Sequence, residues 1–366
     1  MKIAQICFPG LGGHSSVVFS LISADITKQH EWLIGFIGNE PVSKSNIYQC
    51  NSYSINYKGF IYKKKSRLVA WLDLFRWLKK SQPKFVICHS VTMLLPCLLY
   101  SALTLSRLIM VEHTTNSQKK LAEWIFGFLS MLFSRQVIIL TQNYLQEIKH
   151  SYKCFFMPSK FTIVPNGIDA NVFKKTKVKQ ADFYKHREII LGMAARFSEN
   201  KKHNLLIEAL DYLNTTQSNF KFKLSLAGNG TTLKNCMLLA KDKKIDSLVD
   251  FKGFLNEAEL VDWFQGIDIY LHATDGETLS TSILQAMSCG LPIIASDIPG
   301  VSNLLNQEEI YGIISKNDVS SFSNKIIDLV NSPDKMRDIS ENAMLKASSD
   351  YSNTKMLESY ISVLLR

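Results

Sequence analysis

Two stretches in the second half of the chain carry the side chains best suited to chemistry. GMAARFSENKKHNLLIEAL (192–210) places Arg196, then Lys201 and Lys202, around a polar loop between an apolar run and an amphipathic one. Two cations facing one cleft neutralise a diphosphate, Arg as a bidentate fork and Lys as a point charge. In HATDGETLSTSILQAMSCGLPIIASDIPG (272–300), Ser280, Thr281 and Ser282 suit the first turn of a helix. The N–H groups of such a turn hold phosphate. Glu277 stands just before that helix, and Gln285 follows eight positions later, about two turns on. This is the equipment of a site that holds a diphosphate.

A third stretch lies near the start. Phe8-Pro9-Gly10-Leu11-Gly12-Gly13-His14-Ser15-Ser16 separates a first apolar run from a first amphipathic one. Glycines there let backbone approach a ligand, and the helix start favours an anion. The spacing is not the G-x-G-x-x-G dinucleotide fingerprint, which disfavours a dehydrogenase.

Elements must position these residues. MKIAQICF, WLIGFIG, KFVICHS, RLIMVEH and QVIILTQ read as buried strands, with helices over 13–29, 67–80, 92–105, 118–133 and 143–151. The pattern restarts with EIILGMAARF, KFKLSLAG, LVDFKGF, IDIYLHAT, LPIIASD and IYGIIS, and with helices over 202–214, 231–244, 256–265, 280–289 and 319–331. Continuous apolar strands alternating with helices predict parallel α/β sheets covered on both faces. Domains of 1–170 and 171–352 follow, with a charged linker, KKTKVKQADFYKHRE, and a last helix over 353–366.

Composition bounds the rest. The chain has 366 residues, 46% of them hydrophobic and 20% charged, which excludes a disordered or low-complexity protein. Seven scattered cysteines without a C-x-x-C pair fit a reduced cytosol and suggest neither a disulfide framework nor a zinc site. Pro9-Gly10 interrupts the first apolar stretch before a signal peptide could form, and 91–111, the nearest approach to a membrane span, reads as a buried helix and strand. The net charge is +10, yet residues 1–170 hold 19 Lys and Arg against 8 Asp and Glu, so the whole excess lies in the first half. An anionic partner would meet that half.

In order and spacing, VPNGID (164–169), ARFSENKKHNLLIEAL (195–210), LAGNG (226–230), VDFKGF (249–254), GIDIYLHAT (266–274) and ETLSTSILQAMSCGLPIIASDIPG (277–300) resemble the retaining nucleotide-sugar glycosyltransferases of family 4. The resemblance covers nearly the whole chain. It implies the GT-B fold, two Rossmann-like domains facing across a cleft. The second domain would bind the donor and the first the acceptor, and 353–366 would cross back onto the first. Arg196 and Lys201 match the basic pair that stabilises the leaving diphosphate, and Glu277 the first Glu of the family's Glu-x7-Glu motif. Thr278, Leu279, Ser280 and Thr281 match the loop holding sugar and phosphate. Gly12 and Gly13, with His14 beside them, match the glycine loop near the diphosphate. His113 in VEHTT matches a histidine lining the reaction centre, and His89 resembles that of the earlier strand end. Gln285 replaces the second Glu, which holds the ribose hydroxyls; an amide accepts from one hydroxyl without the charge-assisted second bond.

The resemblance implies a glycosyltransferase with no metal or cofactor beyond a nucleotide-diphosphate sugar, UDP-sugar favoured. The acceptor would be a glycan or lipid-linked glycan of surface polysaccharide or lipopolysaccharide synthesis. Residues 61–80 set Lys63, Lys64, Lys65, Arg67, Arg76, Lys79 and Lys80 beside Trp71, Phe75 and Trp77. Such a basic helix lies on an anionic membrane surface, which predicts a cytoplasmic protein peripheral to the inner face of the plasma membrane. No motif supports nucleic-acid binding. A GT-B epimerase and a catalytically silent binding subunit are the rival readings.

Overall fold

Strands that are apolar on both sides need cover on both faces, and the chain supplies it by alternating strand with helix twice over. The computed structural model describes residues 1–10, 13–62, 66–114, 116, 119–174, 188–216, 219–305 and 308–366. Gly12, Lys63, Lys64, Lys65 and residues 175–187 of the expected linker lie outside the described residues. The chain divides into two units, Met1–Asp169 with Asn353–Arg366, and Ala170–Ser352.

The first unit is built on strands β1 (Lys2–Cys7), β2 (Glu31–Gly38), β3 (Asn56–Ile61), β4 (Phe85–Cys88), β5 (Arg107–Val111), β6 (Gln136–Ile139) and β7 (Phe161–Ile163). Helices α1 (Gly13–Ala24), α2 (Lys44–Ser52), α3 (Arg67–Ser81), α4 (Leu94–Thr104), α5 (Leu121–Phe133) and α6 (Gln142–Tyr152) connect them. All pairings are parallel, in the order β3-β2-β1-β4-β5-β6-β7. The order reverses between β1 and β4, where Ile6 stands opposite Cys88. Ligands of open α/β sheets bind at the carboxyl ends of strands flanking such a reversal.

The second unit repeats the plan with β8 (Glu188–Ala194), β9 (Lys221–Ala227), β10 (Val249–Gly253), β11 (Ile269–His272), β12 (Ile293–Ser296) and β13 (Ile313–Ser315). Its helices are α7 (His203–Thr216), α8 (Leu233–Asp242), α9 (Glu257–Gly266), α10 (Thr281–Ser288), α11 (Pro299–Leu305), α12 (Val319–Val330) and α13 (Pro333–Asp350). The order β10-β9-β8-β11-β12-β13 reverses between β8 and β11. Met193, Leu206, Leu224, Leu271, Phe322 and Ile339 meet in its core.

These are two Rossmann-like sheets of seven and six parallel strands. Helix α14 (Asn353–Leu365) then rejoins the first unit and packs on α1. Asn353 N–H donates to Ile168 O at 2.9 Å, and Arg107 Nη1 donates to Leu364 O at 2.8 Å.

Three differences from the sequence reading have physical causes. The first helix ends at Ala24 because Asp25 turns back to accept the N–H groups of Gln29 and His30. Strand β3 is an edge strand, largely exposed, and carries no continuous apolar run. The buried face of α13 is Met336, Ile339, Ser340, Ala343 and Ala347, too small and polar to read as an apolar stripe. Helices α2 and α11 and strand β7 are further elements without a strong periodic signal.

The 61–80 segment also turns differently from a helix lying on its tryptophans. In α3, Trp77 is buried, and Trp71 and Phe75 pack against the core of the first unit. The Arg67 guanidinium lies 5.0 Å over the Trp71 ring. The outward side presents Leu68, Leu72, Arg76, Lys79 and Lys80. Residues 91–111 divide into α4 and β5, and no helix among the described residues is long and apolar enough to cross a membrane.

Candidate active site

In the second unit, β8 and β11 are neighbours, and both deliver polar loops from their carboxyl ends. After β8 the backbone is clamped from above. Gly228 and Gly230 adopt φ of +138° and +155°, and a Cβ on them would stand 2.0 Å from Ala195 O and 2.1 Å from Phe197 O. Only glycine permits that approach. Phe197 is fully buried and stacks on His203 with centroids 3.9 Å apart, so the backbone of the exposed Arg196 is fixed on both sides.

The 198–202 loop is then zipped onto the loop after β11. Lys202 N–H donates to Ala273 O at 2.9 Å, Asp275 N–H to Asn200 O at 2.9 Å, and Thr274 Oγ1 to Asn200 O at 3.0 Å. Ser296 supports Thr274 from β12, accepting its N–H at 2.8 Å. These bonds decide between the two lysines. Lys202 pairs with Asp275 at 2.5 Å, whereas the Lys201 ammonium bonds the Glu277 carboxylate.

His272, at the end of β11 and 1% exposed, completes this group. Its Nε2 lies 3.2 Å from Lys201 Nζ and 3.3 Å from Glu277 Oε2, and its Nδ1 lies 3.3 Å from Tyr270 Oη. Tyr270 Oη is in turn 2.8 Å from Ser282 Oγ. Burial alone would raise the Glu277 pKa. The Lys201 charge and the His272 hydrogen bond outweigh it and hold the carboxyl down at about 2. His272 is lowered to about 4, by burial first and then by the Lys201 charge, so its imidazole is neutral near pH 7.

The loop beyond Glu277 is fixed by a third glycine. A Cβ on Gly300 would sit 1.9 Å from Glu277 O and 2.8 Å from Thr278 O. Thr278 and Leu279 are buried. Ser280 caps α10, accepting Ile283 N–H at 3.4 Å, so α10 begins at Thr281. Gln285 is 7% exposed on the same helix.

In the first unit, Gly13 and His14 open α1 beyond β1, His89 follows β4 and His113 follows β5. Three imidazoles therefore converge at the sheet's reversal. His89 Nδ1 lies 3.0 Å from His113 Nε2, and the His14 and His113 rings are 4.5 Å apart. Gln5, fully buried on β1, places Oε1 2.7 Å from His89 Nε2. With that oxygen accepting, His89 carries its proton on Nε2 and receives the His113 Nε2–H on Nδ1. The lone pair of His113 then stands on its own Nδ1. Burial and the His14 charge lower His89 to about 3 and hold His113 below its ordinary value, so both are neutral. Among the described residues, no group of His, Cys, Asp or Glu side chains has the arrangement of a metal site.

The structure thus gathers Lys201, Glu277, Thr278, Leu279, Ser280, Thr281 and Gln285 around the end of β11, with Arg196 on the paired strand's loop. It gathers Gly13, His14 and His113 at the reversal of the other sheet. The sequence reading missed His272, Tyr270 and Gln5. A histidine closing a strand five residues before Glu277 was the available signal; Gln5 in an apolar strand offered less.

The family profile described as "Glycosyltransferase Family 4" matches residues 12–172, and that described as "Glycosyl transferases group 1" matches 174–346. The Escherichia coli O-antigen biosynthesis glycosyltransferase WclY is 24% identical over 313 residues, spanning 84% of this chain and 83% of that protein. The alpha-monoglucosyldiacylglycerol synthase of Streptococcus pneumoniae is 22% identical over 82% of this chain and 68% of its own. Anabaena HepE, solved with UDP and glucose, superposes with a TM-score of 0.82 at 17% identity, covering 100% of this chain and 99% of its own.

Proposed function

We propose a donor, an acceptor and a stereochemistry for this chain, which belongs to the family 4 glycosyltransferases of GT-B fold. It moves a sugar from a UDP-sugar to a glycan or lipid-linked glycan acceptor in surface polysaccharide or lipopolysaccharide synthesis. Anomeric configuration is retained, and no metal takes part. It works in the cytoplasm, against the inner face of the plasma membrane. The observation that carries the reading is the Lys201–Glu277–His272 group at the carboxyl ends of β8 and β11.

The chemistry follows from charge. The bond from the anomeric carbon to the diphosphate breaks, and its electron pair stays on the diphosphate, which becomes more negative. An acceptor hydroxyl oxygen bonds the same face of the anomeric carbon, and its proton passes to the departing phosphate oxygen. Arg196 and Lys201 meet the growing charge with fixed cations, and the first N–H groups of α10 add their dipole. Glu277, ionised and held by Lys201, faces the donor sugar as the oxocarbenium-like centre gains positive charge. Gln285 accepts from one ribose hydroxyl, and His113 lines the acceptor side.

Two relatives support the choice of donor and pathway. HepE was solved with UDP and glucose, and WclY is named for O-antigen biosynthesis. Calorimetric titration with UDP, GDP and ADP tests the donor. Saturable UDP binding, weakened about tenfold or more in Arg196→Ala by loss of a charge-assisted contact, is the expected result. Binding of none of the three nucleotides by the folded chain overturns the reading. The anomeric proton coupling of the product tests retention.

A further inference from the structure

Helix α5 carries more apolar surface than its own core uses. Its fully buried residues are Gly127, Ser130 and Met131, and Phe126 and Leu129 pack against the core beside them, while Leu121, Ile125, Leu132 and Phe133 face outward. Leu121 is 78% exposed and Ile125 52%. The helix has a single charged residue, Glu123, whose carboxylate folds back to accept the Lys120 N–H at 2.8 Å. Helix α4, which packs on α5, contains no charged residue at all. Its outward positions are Leu95, Leu99 and Leu103, four apart and therefore on one line of the surface.

One position carries two costs at once. Leu105 caps α4 in the left-handed conformation, φ +57°, where glycine or asparagine is favoured, and it is 91% exposed. Isolated exposed leucines need no explanation; a row across two adjoining helices marks an interaction surface.

We propose that the outward faces of α4 and α5 dock on an anionic lipid bilayer. The inference deepens the membrane element of the proposed function and moves the apolar contact from the tryptophans of α3, which turn inward, to the outward leucines and isoleucine of α4 and α5. Charge selects the occupant. On the α4 side of the patch, α3 presents Arg76, Lys79 and Lys80, and Lys120 stands at the start of α5. This half of the chain holds the whole cationic excess, 19 Lys and Arg against 8 Asp and Glu. A second copy would bring like charge to like charge, whereas anionic headgroups meet the cations as the leucines enter the acyl boundary.

The test uses the full chain and vesicles of phosphatidylethanolamine with 30% phosphatidylglycerol, taken as a representative anionic mixture of roughly physiological charge. The wild type is expected to co-sediment with them. The triple variant Leu99→Gln, Leu103→Gln, Ile125→Gln is expected to lose about tenfold or more in partitioning, because three large apolar groups no longer transfer from water. Its circular dichroism, UDP affinity and donor hydrolysis without vesicles should match the wild type. Lys79→Glu with Lys80→Glu should weaken binding mainly at low salt.

Undiminished vesicle binding by the triple variant overturns the proposal, and so does failure of the wild type to bind. A wild-type dimer that the triple variant abolishes, without vesicle binding, assigns the face to self-association instead. Loss of nucleotide binding in the wild type would count against the donor reading and leave the vesicle result standing.

Discussion

His272 Nε2 stands 3.2 Å from the Lys201 ammonium nitrogen, and the imidazole holds that cation against Glu277 without adding a charge of its own. A protonated histidine there would repel Lys201. The neutral ring accepts from it or donates to the carboxylate.

Removing the carboxylate isolates that cation. Glu277→Gln preserves shape and loses charge, and turnover of the UDP-sugar is expected to fall about 10²–10³-fold, the scale of a lost electrostatic contact in a transition state. Thermal stability at neutral pH should fall as well, since the ionised carboxylate is held in the folded unit and Lys201 loses its partner, so turnover is compared well below the unfolding transition. A variant that turns over at the wild-type rate would remove Glu277 from the chemistry.

Acid should destabilise the second unit through His272. The unfolded chain binds a proton there below about pH 6.5, the folded unit only below about 4, so stability falls as pH drops between those values and is flat with respect to this group below them. The loss amounts to about 1.4 kcal/mol per pH unit within that window. His272→Asn should flatten the slope of urea-unfolding free energy against pH between 4.5 and 6 by roughly that amount. An unchanged slope would mean that the imidazole is not held neutral.

Gly300→Ala tests whether the placement of Glu277 matters as much as its charge. The added methyl collides with Glu277 O, so the backbone of 277–278 must shift. We expect turnover to fall about tenfold or more, since small misplacements of catalytic groups have large effects on rate. UDP affinity should fall less. Equal losses in both would point to general disruption of the unit.

Gln5→Leu leaves the Nε2–H of His89 buried without an acceptor, which costs about 1–3 kcal/mol. It also frees the pair to exchange tautomers, and ¹⁵N shifts of His113 should move from a single Nε2–H form to a mixture. A single unchanged tautomer would show that Gln5 does not set the proton.

Much of this was legible in the sequence because the candidate site of the second unit is local. Arg196 and Lys201 share one loop, and Glu277 through Gln285 share one loop and helix, so spacing alone brings them near each other. The strands were legible because they are apolar on both faces. What stayed hidden depends on distant segments. Gln5 meets His89 across 84 positions, and nothing in KIAQIC distinguishes a polar side chain that is used from one that is tolerated. Helix α5 was legible as a helix, but periodicity reports only that an apolar face exists. It does not say which apolar residues turn inward, and here Phe126, Leu129 and Met131 do while Leu121, Ile125, Leu132 and Phe133 do not.

The return of α14 to the first unit sets an order on biosynthesis. The ribosome finishes the seven-stranded sheet early, but the helix that covers α1 is made only after all of Ala170–Ser352. Until then the partner surface of Met356, Tyr360 and Val363 on the older unit waits uncovered, and a chaperone that shields α1 would act on the growing chain before it acts on any finished one. The first unit to be synthesised is the last to be completed.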